Sequence, residues 1–200
     1  MTQITIAPAT ADRFDDAEYA LTGGGDGASC QCQWWMMPNA EFQALSTEER
    51  RERLQDEIGQ APPPALIAYV DGVAAGWVRV GPRSTQPRLA RTQAIAPGMQ
   101  GEFEDTDVWA ITCFVTRREY RGQGVQGELL DAAISFAREH GARSIEGYPI
   151  DTSTGKHPSN DLYHGVLSTF ERHGFREVAR PKPDRVVVAI DVNRSDSRAH

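Results

Sequence analysis

Apolar and polar positions follow two rhythms along the chain, and the changes of rhythm mark its elements. A short apolar stretch, ITIAPA over residues 4–9, reads as an opening strand. TADRFDDAEYALT follows with Thr10 as N-cap and an acidic first turn, which predicts a helix. GGGDGAS (23–29) breaks it and leads into CQCQWWMMP, read as a loop between helices. A second helix is expected from Ser46, because STEERRERLQDEIG carries the S-x-x-E capping box in Ser46 and Glu49. APPP stops that helix, and two strands, ALIAYV and VAAGWVRVG, follow with a hairpin signal at Asp71 and Gly72. Residues 82–107 mix Pro, Gly, Gln and charges without periodicity and read as a long loop. Loops of that length inside compact domains are usually functional or mobile.

The second half is more regular. VWAITCFV is a strand, GVQGELLDAAISFAREHG a helix and ARSIEGYPI another strand. Leu129, Ala133, Phe136 and Ala137 recur at helical spacing, and Gly141 supplies the stop. DTSTGKHPSN is a loop, and DLYHGVLSTFERHG a final helix ending at Gly174. FREVARP and RVVVAIDV finish as strands, and NRSDSRAH (193–200) is a disordered tail. The order β-α-α-β-β-β-α-β-α-β-β places hairpins around a β-α-β unit. That implies an α/β (α+β) domain over residues 1–192, with a mixed, mostly antiparallel sheet and helices on both faces.

Composition narrows the function classes. The chain has 200 residues, 40% apolar and 24% charged, enough for one substantial core. A net charge of −7 and the lack of a dense Lys/Arg cluster argue against a nucleic-acid partner. RRERLQDE from Arg50 alternates in sign and reads as a solvated helix face. No apolar run approaches the roughly 18 residues of a membrane span, and the N-terminus lacks the pattern of a signal peptide. Three cysteines, an odd number, argue against a disulfide framework and suit the cytoplasm.

The chemistry concentrates at REYRGQGVQGELL. Gly122, Gly124 and Gly127 spell G-x-G-x-x-G between a strand and a helix, with Glu146 about 20 residues on, where a dinucleotide site would place its ribose ligand. Against that reading, TRREYR intervenes between the strand and the first glycine, whereas a dinucleotide turn starts tightly at its strand end. A hairpin also replaces the further βα units such a fold needs. Arg117, Arg118 and Arg121 crowd the approach. What survives is a helix N-terminus with free N–H groups, a positive dipole end and glycines that permit close approach, which together make an anion site.

TCFVTRREYRGQGVQGELLDAAISFAREHGA resembles the acetyl-CoA motif of the GNAT family of N-acetyltransferases, Q/R-x-x-G-x-G/A after a strand. The element order and FERHGF are similar to that family as well. CQCQWWM, EGYPID and STFERHGF together resemble a bacterial branch of it with a Cys-x-Cys-aromatic segment. The resemblance implies acetyl-CoA as cofactor, its pyrophosphate on the amides of Arg121, Gly122, Gln123, Gly124, Val125 and Gln126. It implies a pantetheine arm beside Phe114 and Val115 and a cofactor contact at Phe170. Gln126 stands where the family prefers Gly or Ala, so its side chain must turn away from the phosphate or bond to it.

Acetyl transfer to an amine needs a neutral amine, a polarised thioester and a protonated leaving sulfur. In the family a tyrosine four residues before the closing Gly-Phe often gives the proton; here that position is Phe170. Tyr163 precedes it on the same predicted helix, about 10 Å away at 1.5 Å per residue, and His164 is a candidate base near neutral pH. Cys113 reads as a small buried hydrophobe. Cys32, Trp34 and Trp35 are expected to wall the acceptor site, and no metal site is expected, since Cys-x-Cys with one distant cysteine is thin for zinc. Glu102, Glu104, Asp105 and Asp107 form an acidic loop that would draw a cationic amine. The expected function is therefore direct acetyl transfer from acetyl-CoA to a primary amine of a small molecule. The alternative is a non-catalytic CoA-binding sensor or regulatory module. The expected partners are the small-molecule amine and, as an option, a second copy in a homodimer.

Overall fold

The computed structural model describes residues 2–192, so the tail expected over 193–200 lies outside the described residues. One seven-stranded sheet runs through them: β1 (Ile4–Pro8), β2 (Ala65–Val70), β3 (Val73–Pro82), β4 (Val108–Thr116), β5 (Ser144–Gly147), β6 (Arg176–Lys182) and β7 (Arg185–Asp191). The spatial order is β1-β2-β3-β4-β5-β7-β6. All neighbours are antiparallel except β4 and β5. The helices are α1 (Phe14–Leu21), α2 (Gly27–Cys30), α3 (Asn39–Ala44), α4 (Thr47–Ile58), α5 (Val125–Glu139) and α6 (Leu167–Arg172). No helix among the described residues is long and apolar enough to cross a membrane.

The mixed sheet has helices on both faces because β2 is apolar on both. Leu66, Ala68 and Val70 pack with Leu129, Ala133 and Ala137 of α5, while Ala65 and Ile67 pack with Leu21 of α1 and Leu54 and Ile58 of α4. The period of two in a strand sends alternate residues to opposite sides. Asp71 (φ 49°) and Gly72 (φ 83°) turn the β2–β3 hairpin with both residues left-handed, the conformation that matches strand twist. At α4 the expected capping box forms: Ser46 accepts from the Glu49 N–H at 3.2 Å, and Glu49 accepts from the Ser46 N–H at 2.6 Å. Thr10, by contrast, makes no side-chain cap; a 3-10 turn at Ala11–Arg13 precedes α1.

Two helices stop on the same device. Gly141 (φ 91°) ends α5 with Ala142 N–H donating to Ala137 O at 2.9 Å; Gly174 (φ 88°) ends α6 with Phe175 N–H donating to Phe170 O at 3.1 Å. This is the Schellman pattern, and it explains the Gly-Phe at the end of FERHGF.

Two expectations change. The long loop is neither structureless nor solvated: 3-10 turns form at Arg83–Thr85, Leu89–Arg91 and Ala96–Gly98. Leu89, Ile95, Arg83, Gln86 and Arg88 are buried along it. Arg83 pairs with Glu146 at 2.9 Å, both inaccessible to solvent, so Glu146 is a structural partner and not a ribose ligand. Second, the final predicted helix is two pieces. A 3-10 turn at Ser159–His164 ends at Gly165 (φ 80°), and only Leu167–Arg172 is α-helical. A β-branched valine and a left-handed glycine interrupt the pattern that side-chain periodicity alone carries through.

The feature that matters for function is the end of the β4–β5 ladder. Pairing stops at Ile111 with Gly147, whereas β3 continues along β4 to Thr116. The register between β3 and β4 slips there, with Arg79 opposite Cys113 but Val80 opposite Ile111, leaving Thr112 as the extra residue. A bulge kinks and twists its strand. Beyond it, residues 112–116 of β4 keep an edge that β5 does not cover.

Candidate active site

A cleft of about 1090 Å³ lies along that edge. Cys32, Trp34, Trp35, Phe114, Val115, Arg121, Gly122, Gly124, Val125, Gln126 and Tyr163 line it, so most of the residues expected at the site come together. Gln123, His164 and Phe170 do not line it. Gln123 turns outward, its Nε2 donating to Glu119 O at 3.0 Å. Phe170 is fully buried, 5.9 Å from the Phe114 ring and 5.0 Å from the Phe175 ring, so it packs the core and offers a cofactor no surface. Gly24, Gly25 and Gly27, at the turn from α1 into α2, also line the cleft. Gly24 sits where a Cβ would approach Arg121 Nη2 at 3.0 Å, so the glycine run lets this loop reach the arginines before α5. The run of glycines was the available signal.

At the mouth, α5 begins from Gly124 with φ 85°, and Gly122 has φ 75°. Among the described residues, no backbone N–H of residues 122–126 has a protein acceptor; the first bonded amide is Gly127, donating to Gly124 O at 2.9 Å. A Cβ on Gly122 or Gly124 would meet nothing within 4 Å, so the approach is open. Five free amides at the positive end of a fifteen-residue helix fit a phosphate group. The Gln126 side chain does not obstruct them. Its Nε2 lies 3.3 Å from where a Cβ on Gly165 would stand, tucked toward Gly165 and Phe114.

At the inner end stands an aromatic wall. Tyr163 stacks on His164 with centroids 4.1 Å apart, and Trp35 meets the same pair at 6.4 Å and 5.5 Å. Burial pushes the Tyr163 hydroxyl well above its ordinary value, so it keeps its proton at neutral pH. Burial, with the Arg185 charge adding to it, drives His164 down to about 3. His164 is therefore a neutral ring at working pH and a weak base. Tyr163 and Phe170 do not share a helix face, since Gly165 separates the 3-10 turn from α6.

The Cys-x-Cys segment has a local role the sequence did not disclose. Gln31 and Cys32 both adopt left-handed backbone, φ 50° and 54°, costly for side-chain-bearing residues. That turn buries the Cys32 sulfur, which accepts from Trp77 Nε1–H at 3.2 Å and Arg79 Nε–H at 3.3 Å. Arg79 in turn forms a fork to Glu57 at 2.6 and 2.7 Å. Burial works to push the Cys32 thiol up, but the neighbouring Cys113 thiol and the Arg79 guanidinium outweigh it and bring it down to about 6. The neighbouring Cys32 and burial together hold the Cys113 thiol well above its ordinary value. Burial raises Cys30 to about 11. The Cys32 sulfur is thus held in a cage of donors that makes it more acidic, while its two neighbours are made less so.

The acidic loop is engaged elsewhere. Asp105 and Asp107 pair with Arg143 at 2.7 and 3.8 Å, and no residue of 101–107 lines the cleft. It does not stand at the site to draw a cationic amine.

Residues 31–166 match the family model described as the acetyltransferase (GNAT) family. No curated protein matches the sequence. Solved structures share the fold at low identity. The ribosomal-protein-alanine N-acetyltransferase of Brucella melitensis superposes with a TM-score of 0.56 at 18% identity, covering 94% of this chain and 99% of that one. An N-acetyltransferase of Staphylococcus aureus Mu50 gives 0.55 at 12% identity, covering 95% and 99%. The PaiA N-acetyltransferase of Thermoplasma acidophilum, solved in complex with coenzyme A, gives 0.53 at 14% identity, covering 94% and 99%.

Proposed function

The chain belongs to the acetyltransferase (GNAT) family, whose members use acetyl-CoA, and we propose from that premise that it transfers the acetyl group directly to the primary amine of a small molecule. One observation carries the reading: five unpartnered amides over residues 122–126, set beside the uncovered edge of β4. Those amides and Arg121 would hold the pyrophosphate, and the backbone at Phe114 and Val115 would take the amide groups of the pantetheine arm as an added strand does. When bound, acetyl-CoA supplies an acyl carbon already activated as a thioester.

The transfer balances simply. The acceptor nitrogen bonds to the acetyl carbon as that carbon's bond to sulfur breaks; one proton leaves nitrogen and one reaches sulfur. Tyr163, protonated at working pH, is the group assigned to donate a hydrogen bond to the charge that develops on sulfur. His164 is assigned to position the Tyr163 ring by stacking, because a base whose pKa lies near 3 is poorly matched to neutral pH. Direct transfer is favoured because Cys113, the thiol on β4 beside the cleft, stays protonated, and Cys32 is 2% exposed.

The test is acetyl-CoA stabilisation in a thermal shift, followed by free-thiol release against a panel of primary amines. Stabilisation with turnover on at least one amine is expected, with intersecting initial-velocity patterns. Absence of stabilisation overturns the cofactor site. Parallel patterns overturn direct transfer. Binding without turnover on any amine favours the CoA-binding sensor module instead.

A further inference from the structure

A second pocket, of about 520 Å³, opens on the far side of the aromatic wall. Trp34, Trp35 and Tyr163 border both it and the cofactor-side cleft. Its volume lies within the range of small-ligand sites.

Its charge runs against that of the chain. The net charge is −7, yet Arg88, Arg91, Lys182 and Arg185 line this pocket and no acidic side chain does. Arg88 lies 3.6 Å over the Trp34 ring and is 7% exposed; its Nε donates to Met37 O at 2.9 Å, while its Nη2 has no partner among the described residues. Arg91 and Lys182 form no ion pair among the described residues. Arg185 approaches Asp184 and Asp161 only at 3.6 and 3.8 Å. Two more lining residues carry buried polar atoms without a partner, Trp35 Nε1 and His164 Nδ1.

Buried donors left unpaired are costly, and Arg88, Arg91 and Lys182 converge without a carboxylate of their own, Asp184 and Asp161 standing only beside Arg185. Both costs fall away if an anion occupies the pocket. A carboxylate offers the geometry a guanidinium fork recognises and, at this size, a group small enough to leave room for the rest of an amine.

We propose that this pocket binds the acceptor by its carboxylate, so that the substrate is a small primary amine that also carries a carboxylate, of the amino-acid class. Arg88 and Arg185 hold the anion from below, Arg91 and Lys182 from the rim, and the amine points to the Trp35 and Tyr163 wall. The amine's role rests on the acetyl-transfer reading; the binding of the anion does not.

The experiment separates the two. Full-length protein is titrated with a panel of amino acids, each beside its own carboxamide, at fixed ionic strength, by calorimetry and by thiol release with acetyl-CoA. At least one amino acid should bind and turn over at least tenfold better than its carboxamide. Arg88→Gln should erase that preference while acetyl-CoA affinity stays within about twofold. Because Arg88 packs on Trp34, the rim pair Arg91→Gln with Lys182→Gln serves as the second variant and should cut the preference severalfold in a folded protein. If carboxylates bind with this preference but none is acetylated, the anion site stands and the transfer reading fails. If acetyl-CoA binds and amines are acetylated with no preference for the carboxylate, or no carboxylate binds, the proposal is overturned.

Discussion

The cleft and the second pocket share one aromatic wall and are built by opposite means. On the proposed reading the cleft recognises through backbone: free amides at the start of α5 and the edge of β4 that β5 leaves uncovered. The second pocket would recognise through side chains, four cations drawn from the 88–91 turn and from β6 and β7. Backbone recognition suits a group common to many enzymes, because any residue supplies an amide. Side-chain recognition can change from one acceptor to another without touching the fold. Substitutions should therefore act differently on the two sides.

The wall itself should be most sensitive, since both sides depend on it. Tyr163→Phe keeps the stacked ring and removes only the hydroxyl; kcat should fall about a hundredfold with acetyl-CoA binding retained, the loss expected for one donor to developing charge. An unchanged kcat would remove Tyr163 from the chemistry.

On the acceptor side, His164 gives the pH dependence. Its folded pKa, about 3, lies below its unfolded value near 6.5, so the unfolded chain binds the extra proton. Its burial as a neutral ring therefore costs nothing above about pH 6.5 and destabilises increasingly as pH falls toward 3. Relative to a His164→Phe variant, the wild type should lose about 2 kcal/mol of unfolding free energy between pH 6.5 and 5, at about 1.4 kcal/mol per unit. Parallel stability curves for the two proteins in chemical denaturation would refute a buried neutral His164.

On the cofactor side, Gly124→Ala isolates the backbone. The added methyl meets nothing within 4 Å, so any loss comes from forcing φ 85° on a residue with a Cβ. That strain is about 1–2 kcal/mol, and acetyl-CoA affinity should weaken about tenfold by titration calorimetry. An unchanged affinity would mean that the amides of this turn do not hold the cofactor.

Gln126→Gly should do least. The side chain is turned toward Gly165, and the amide is present in either residue, so acetyl-CoA affinity should stay within about twofold. A gain of tenfold would show that the glutamine does stand in the way.

The strands, α1, α4, α5, the hairpin and both helix stops were legible because each rests on local rules: period, caps and positive φ at glycine. The open helix N-terminus at the glycine turn before α5 was legible for the same reason. The break at Gly165 is not legible, because the apolar side chains Tyr163, Val166, Leu167 and Phe170 keep helical spacing across it while the backbone does not. Sequence shows the charge of the acidic loop but not Arg143 beside it.

Local sequence encodes the order of the strands, the two-faced sheet and the glycine-bounded start of α5 at Gly122 and Gly124, since each rests on a few consecutive residues. Only the tertiary structure decided that Cys32 sits in a cage with Trp77, Arg79 and Cys113, that Phe170 is core, and that Arg88 and Arg185 converge behind Trp35. Those partners lie tens of residues apart, and their meaning comes from which charges and donors burial leaves facing one another.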